Sequence, residues 1–236
     1  MTRIWGYWTT FGWAFLAFVG GQVVALASVL VWRAAALSSL YETPYDGVFL
    51  TLTLVISTPI TIAILALAVW LARARFADYL ALAWPQRRYL VIGIVGLVGM
   101  IAVGDALLYL SGRPLITPFQ QQSYATAAAQ GWLAPMLATA ILVAPAGEEL
   151  MFRGFLFRGW ARSERTTWPA IVVISLVWAA LHVQYDWTGI LQIFVIGLFL
   201  GWMRWRSGST LLTFLLHALF NLEGTIETAL QMRFFS

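Results

Sequence analysis

Apolar residues run along this chain in stretches near 20 residues, broken by short clusters of arginine, proline, glycine and tryptophan. A hydrocarbon core of roughly 30 Å demands about 20 residues of helix, whereas an outer-membrane barrel would show alternating segments of about ten. The pattern predicts seven helical segments, at about 11–32, 48–72, 89–110, 132–160, 168–186, 188–203 and 209–230. The expected fold class is therefore all-α, a polytopic transmembrane helix bundle of about seven helices. A further short interfacial helix is predicted between Arg73 and Arg88, where Phe76, Tyr79, Leu80, Leu82 and Trp84 mix with charge and Pro85 supplies the stop. The connection 111–131, with Pro114, Pro118 and Gln120 to Gln122, reads as a polar loop.

The first apolar run, Phe11 to Trp32, exceeds the 7–15 residues of a signal-peptide core and reads as a retained helix. No connection exceeds about 20 residues, well short of the 50 or so that a soluble domain needs. No internal repeat suggests duplicated transporter halves. The expectation is one integral membrane domain over 1–236, with its motif-bearing core at about 130–230.

Composition sharpens the class. The chain is 61% hydrophobic and 10% charged, against about 45–50% and about 25% in soluble domains. Its net charge is +4, and all fourteen basic residues are arginine. Because they lie between apolar runs they act as topology determinants, so no nucleic-acid partner is expected and membrane lipid is. An odd number of spans puts Arg3, Arg73, Arg75, Arg87, Arg88, Arg158, Arg162, Arg165, Arg204 and Arg206 on one side. Arg33, Arg113 and Arg233 fall on the other. The positive-inside rule then makes the N-terminus cytoplasmic and the C-terminus external. A short, lysine-free, arginine-rich membrane chain points to a bacterial inner (plasma) membrane. The absence of cysteine excludes disulfides and thiolate chemistry.

Against this apolar background, the stretch Ala144-Pro145-Ala146-Gly147-Glu148-Glu149-Leu150-Met151-Phe152-Arg153-Gly154 places two adjacent carboxylates after an apolar run. Charge at such depth costs roughly 2.5–3.5 kcal/mol per group on insertion scales, which makes an intramembrane acid a functional candidate. In a helix Glu149 and Arg153 share a face and neutralise each other, while Glu148 is turned about 100° away. Glu148 is the acid left over. His182 follows Trp178 by one turn in the fifth segment, and Asn221 follows His217 by one turn in the seventh. Counted from the arginine belt at 1.5 Å per residue, Glu148, His182 and Asn221 each lie roughly 20 Å deep, with His217 a turn nearer the belt. Asp105 has no motif around it and reads as structural, and Glu223 and Glu227 are expected near the opposite interface. Glu148, His182 and Asn221 thus form one polar level. For each residue alone, an interhelical hydrogen bond is the blander alternative.

A carboxylate facing an imidazole can hold and deprotonate a water, and a second imidazole beside an amide can stabilise an oxyanion. That is a peptidase without a covalent intermediate. The chain has no G-x-S-x-G, no HExxH and no cysteine nucleophile.

EExxxR at Glu148 to Arg153, an aromatic-xxx-His at Trp178 to His182 and HxxxN at His217 to Asn221, in that order on successive helices, resemble the CAAX prenyl protease type 2 and bacteriocin-immunity family of intramembrane proteases (CPBP, or Abi). The likeness covers roughly the last 100 residues, and Trp178 stands where Phe is commoner. It implies an intramembrane endopeptidase acting on a membrane-associated peptide or protein, with Glu148 as general base and His182 helping to bind and activate the water. It also implies His217 and Asn221 as the oxyanion site, supported by Glu149 and Arg153, with Trp178 keeping the aromatic ring. Many members are called metalloproteases, and Glu148, His182 and His217 would be the set for zinc. The favoured expectation is a metal-independent mechanism needing no cofactor, because Asn221 beside His217 suits an oxyanion better than a metal's outer shell. The alternative is a non-catalytic membrane protein that uses the same groups as an ion or proton pathway, in bacteriocin immunity or as a partner scaffold.

Overall fold

The computed structural model describes residues 4–35 and 45–234, without the side chains of 32–35 and 234. Arg3 and the side chain of Arg33, used above for topology, lie outside the described residues. The helices are α1 (Tyr7–Ala35), α2 (Gly47–Leu71), α3 (Phe76–Tyr79), α4 (Arg87–Leu110), α5 (Pro118–Ala129), α6 (Leu133–Trp160), α7 (Glu164–Ala180), α8 (Trp187–Ser207) and α9 (Thr210–Phe234). Among the described residues there is no strand.

The seven predicted segments correspond to α1, α2, α4, α6, α7, α8 and α9, and the chain is an integral membrane protein. Five of these, α1, α2, α4, α6 and α8, are long and apolar enough to cross a bilayer on length and composition alone. At 17 residues α7 is short, and α9 carries His217, Asn221, Glu223 and Glu227 along its length.

Three expectations are corrected. The predicted interfacial helix is only a single turn, Phe76–Tyr79, and two of its expected surface-facing residues pack into the bundle instead: Tyr79 and Leu80 are 3% and 0% exposed. Tyr79 stacks on Phe155, and Thr210 donates to the Leu80 carbonyl. Ala81, in the left-handed region at φ +54°, ends the turn before Pro85 is reached. The polar connection 111–131 is largely helical. Thr117 caps α5 in a capping box with Gln120, and Pro118 fills a first-turn position whose N–H would be unpaired in any case. Finally, α7 ends at Ala180, so His182 lies in the turn beyond it.

Helix α6 is irregular around its motif. Two π-helical stretches, Thr139–Val143 and Leu150–Leu156, flank the α-helical Ala144–Glu149. The Ala144 N–H reaches back five residues to the Thr139 carbonyl, and Pro145 has no N–H to offer Ala140 in turn. The Ala140 carbonyl is thus left without a main-chain donor. Close packing holds the segment in place, since a Cβ on Gly147 would come within 2.9 Å of the Thr58 side chain on α2.

Candidate active site

The first acid pair behaves as a buried ion cluster. Arg153 Nη1 donates to Glu149 Oε1 at 2.8 Å, and the two side chains are 1% and 0% exposed. The same oxygen meets His217 Nδ1 at 2.9 Å, so one carboxylate oxygen bridges α6 to α9. Arg153 also donates to the Gly197 carbonyl of α8 at 3.4 Å and lies 4.3 Å above the Trp178 ring. Gly197 allows this approach, because a Cβ there would sit 3.1 Å from the Trp178 ring. In turn Arg204 Nε donates to the Arg153 carbonyl at 3.0 Å.

Glu148 lies apart from this cluster. Its Oε2 accepts the indole N–H of Trp178 at 2.5 Å, and neither Arg153 nor any other cation forms an ion pair with it among the described residues. Trp178 is 2% exposed and also meets the edges of both imidazoles, with centroids 5.2 Å from His182 and 5.2 Å from His217. The indole is the hub on which the acid, the cation and the two histidines converge.

Hydrogen-bond logic then assigns the imidazole protons. A carbonyl only accepts, so His182 Nδ1, 2.8 Å from the Trp178 carbonyl, carries a proton. Likewise the Glu149 carboxylate requires a proton on His217 Nδ1. Both rings keep Nε2 as their remaining nitrogen. Asn221 Nδ2 donates at 2.8 Å to the carbonyl of Ala140, the group stranded by the π turn and Pro145. That bond uses one amide hydrogen and leaves the second.

Glu148, His182, His217 and Asn221, with Trp178, line one cavity of about 670 Å³, within the range of about 300–1,000 Å³ usual for ligand sites. Departure of His182 from the helix has not removed it from the set. Sequence reasoning missed part of this wall. Phe119 of α5 and Tyr185 line it as well and pack edge to face with centroids at 5.4 Å. The signal for α5 was present in Thr117-Pro118-Phe119-Gln120, a capping box. Arg113 ties the mouth, donating to Asp186 at 2.9 Å and Thr188 at 3.1 Å. The Asp186 carboxyl is held below its ordinary value by the Thr188 hydroxyl first, then the Gly189 N–H and Arg113.

The expectation of one polar level is also corrected. Asp105 on α4 and Glu223 and Glu227 on α9 bring carboxylate oxygens within 4.8 Å of one another, and all three line the same cavity. Asp105 is more than a hundred residues from the two glutamates in the chain, and no local motif links it to them.

Zinc bound at about 2.0–2.2 Å would bring its ligand atoms within roughly 4 Å of one another. Among the described residues, the one group of three such side chains with ligand atoms within 4.8 Å of one another is Asp105, Glu223 and Glu227, not Glu148, His182 and His217. The alternative His₂Glu set is therefore not gathered for a closed zinc site in this arrangement.

Comparison with known proteins bears on the same region. Residues 130–222 match the family model described as Type II CAAX prenyl endopeptidase Rce1-like, a span that holds all three motifs. An Escherichia coli protein described as an uncharacterized 24.3 kDa protein is 32% identical over 131 residues, covering 53% of this chain and 60% of that one. The match thus spans under two thirds of the length of that curated relative. No solved structure matches the chain.

Proposed function

Because residues 130–222 match the model of the Rce1-like type II CAAX prenyl endopeptidases, we propose that the protein is an intramembrane endopeptidase that uses Glu148 to activate water. The reading is carried by one observation, that Glu148, His182, His217 and Asn221 line a common cavity.

With Oε2 held by the Trp178 N–H, Glu148 presents Oε1 to a water. His182, protonated on Nδ1, offers the unprotonated Nε2 as a second acceptor for the same water. Attack forms the bond from water oxygen to the scissile carbonyl carbon, and the water proton passes to Glu148. The oxyanion is met by the His217 imidazolium at Nε2–H and by the free amide hydrogen of Asn221. Collapse breaks the C–N bond, and Glu148 returns its proton to the leaving amine.

Charge closes around this scheme. If His217 carries a proton on both nitrogens in the reacting complex, its charge and that of Arg153 balance Glu148 and Glu149. Glu149 thus serves His217 as counter-ion and fixes its ring, whereas Glu148 alone is free for proton transfer. No metal is required in this reading. The substrate is a membrane-associated peptide or protein, and the arginine-rich side is cytoplasmic. Comparative peptidomics of membranes bearing the wild-type protein or Glu148→Gln tests it: a peptide cleaved only by the wild type supports the reading, and identical peptide profiles would overturn it.

A second reading is an ion or proton pathway, favoured by the acids Asp105, Glu223 and Glu227 in the same cavity. Proton flux across proteoliposomes that Asp105→Asn abolishes, together with unchanged peptide profiles, would select it.

A further inference from the structure

The arginine-rich end of the bundle carries a second cleft, of about 840 Å³, where the end of α2, the turn into α3 and the last turn of α6 meet. Arg73, Arg75 and Arg158 line it, with Asp78 as the one acid among its lining residues. Asp78 lies 3.6 Å from Arg75, and both are largely exposed. Among the described residues, Arg73 and Arg158 have no carboxylate within the 4.0 Å of an ion pair and no side-chain hydrogen bond. Tyr79 forms the floor. Burial holds its phenol above the ordinary value, although the Trp5 N–H and the charges of Arg158 and Arg162 act to lower it. Arg204, 6% exposed, adds a further cation beside this end of α6, stacked 5.1 Å above Phe157 without an acid partner.

The backbone at Arg73 sharpens the point. Helix α2 ends in paired reverse bonds, Ala74 N–H to the Val69 carbonyl at 3.2 Å and Arg73 N–H to the Trp70 carbonyl at 2.8 Å. Arg73 occupies the left-handed position of that cap, at φ +57°, where glycine is the usual residue. An arginine there tolerates a backbone that disfavours side chains, and its guanidinium lines a cleft that already holds unpaired positive charge.

The other wall is apolar and open. Trp70 is 71% exposed, Leu71 46% and Ile4 44%. Cations at one end and an exposed indole with aliphatic side chains at the other match an anionic headgroup joined to acyl chains.

We propose that this cleft binds the phosphodiester headgroup of an anionic phospholipid, with Arg73 and Arg158 on the phosphate oxygens and Trp70, Leu71 and Ile4 against the chains. A soluble phosphate shares the headgroup chemistry but has no use for the apolar wall. Diffuse attraction to the membrane depends on how many arginines face it, whereas a built site depends on which ones.

The test titrates detergent-solubilised full-length protein with phosphatidylglycerol, phosphatidylcholine or inorganic phosphate and reads bound ligand by native mass spectrometry. The wild type is expected to retain phosphatidylglycerol over phosphatidylcholine. The pair Arg73→Gln with Arg158→Gln weakens that binding about tenfold or more, while the charge-matched pair Arg88→Gln with Arg206→Gln, on exposed residues of the same side, leaves it within twofold. Inorganic phosphate that binds with the same dependence on Arg73 and Arg158 keeps the site and makes its ligand a soluble phosphate. Equal weakening by both pairs, or no preference for phosphatidylglycerol, overturns the proposal. The assay reads no cleavage, so its result is separate from the peptidase reading.

Discussion

Six carboxylates stand in or beside one cavity, and apart from Asp186 at its mouth they are kept there in two different ways. Where α6, α7 and α9 meet, every charge has a named partner: Glu149 takes Arg153 and His217, and Glu148 takes the Trp178 N–H. Between α4 and α9, Asp105, Glu223 and Glu227 crowd within 4.8 Å, and among the described residues no cation forms an ion pair with them. Within the first arrangement the Glu149, Arg153 and His217 cluster is fully buried and needs all its members, since a lone charge left there is costly to fold around, whereas Glu148 is only partly buried. The second is only partly buried and lines the cavity. Burial with a partner makes an acid structural, and burial beside a lone donor leaves it chemically available.

The comparison breaks most sharply at Arg153. Arg153→Ala strands Glu149 at full burial, and a loss of about 3–5 kcal/mol of stability is expected, read as a large drop in thermal midpoint or in yield of folded protein. A midpoint unchanged from wild type would show that the ion cluster is not what holds α6 to α9. Next in size is Trp178→Phe, which keeps the ring but removes the N–H from Glu148. A hydrogen bond to a charged group contributes about 1.5–3 kcal/mol, so cleavage is expected to fall. Cleavage at the wild-type rate would mean that the indole acts only as filling.

Asp105→Asn probes the other region. Removing one of three crowded acids is expected to leave stability unchanged or to raise it by less than about 1 kcal/mol, measured by the same thermal scan. A clear loss would show that the three acids share a stabilising proton or ion. The smallest effect belongs to the mouth. The Asp186 carboxyl is depressed, so its pairing contributes above the ordinary value of about 3.8 and is lost as pH falls through the lower folded value. At 54% side-chain exposure that contribution is under about 1 kcal/mol. Asp186→Asn is therefore expected to shift the thermal midpoint slightly at neutral pH and by less as pH falls through the depressed value, and a shift that does not change with pH would contradict it.

Much of this arrangement is legible in the residues themselves. Run length alone separates the long helices, and the i, i+4 spacing of Glu149 and Arg153 predicts their pairing and the isolation of Glu148. What escapes is whatever depends on contacts distant in the chain. Tyr79 and Leu80 read as interfacial because arginines flank them, yet Phe155 and Thr210 bury them. The hydrophobic pattern runs on past Ala180, so the end of α7 and the turn bearing His182 leave no local mark. Asn221 reads as a catalytic amide, whereas Pro145 and the π turn give it a second duty at the Ala140 carbonyl. The Asp105 cluster needs α4 and α9 side by side before it exists at all.

Neighbouring carboxylates give the most direct test. Glu148→Gln and Glu149→Gln, purified in parallel and assayed for cleavage and thermal midpoint, are expected to part company. The first loses turnover by about 10²–10⁴-fold at an unchanged midpoint, and the second loses stability. Retained cleavage in Glu148→Gln would contradict the assignment of the free acid as the base.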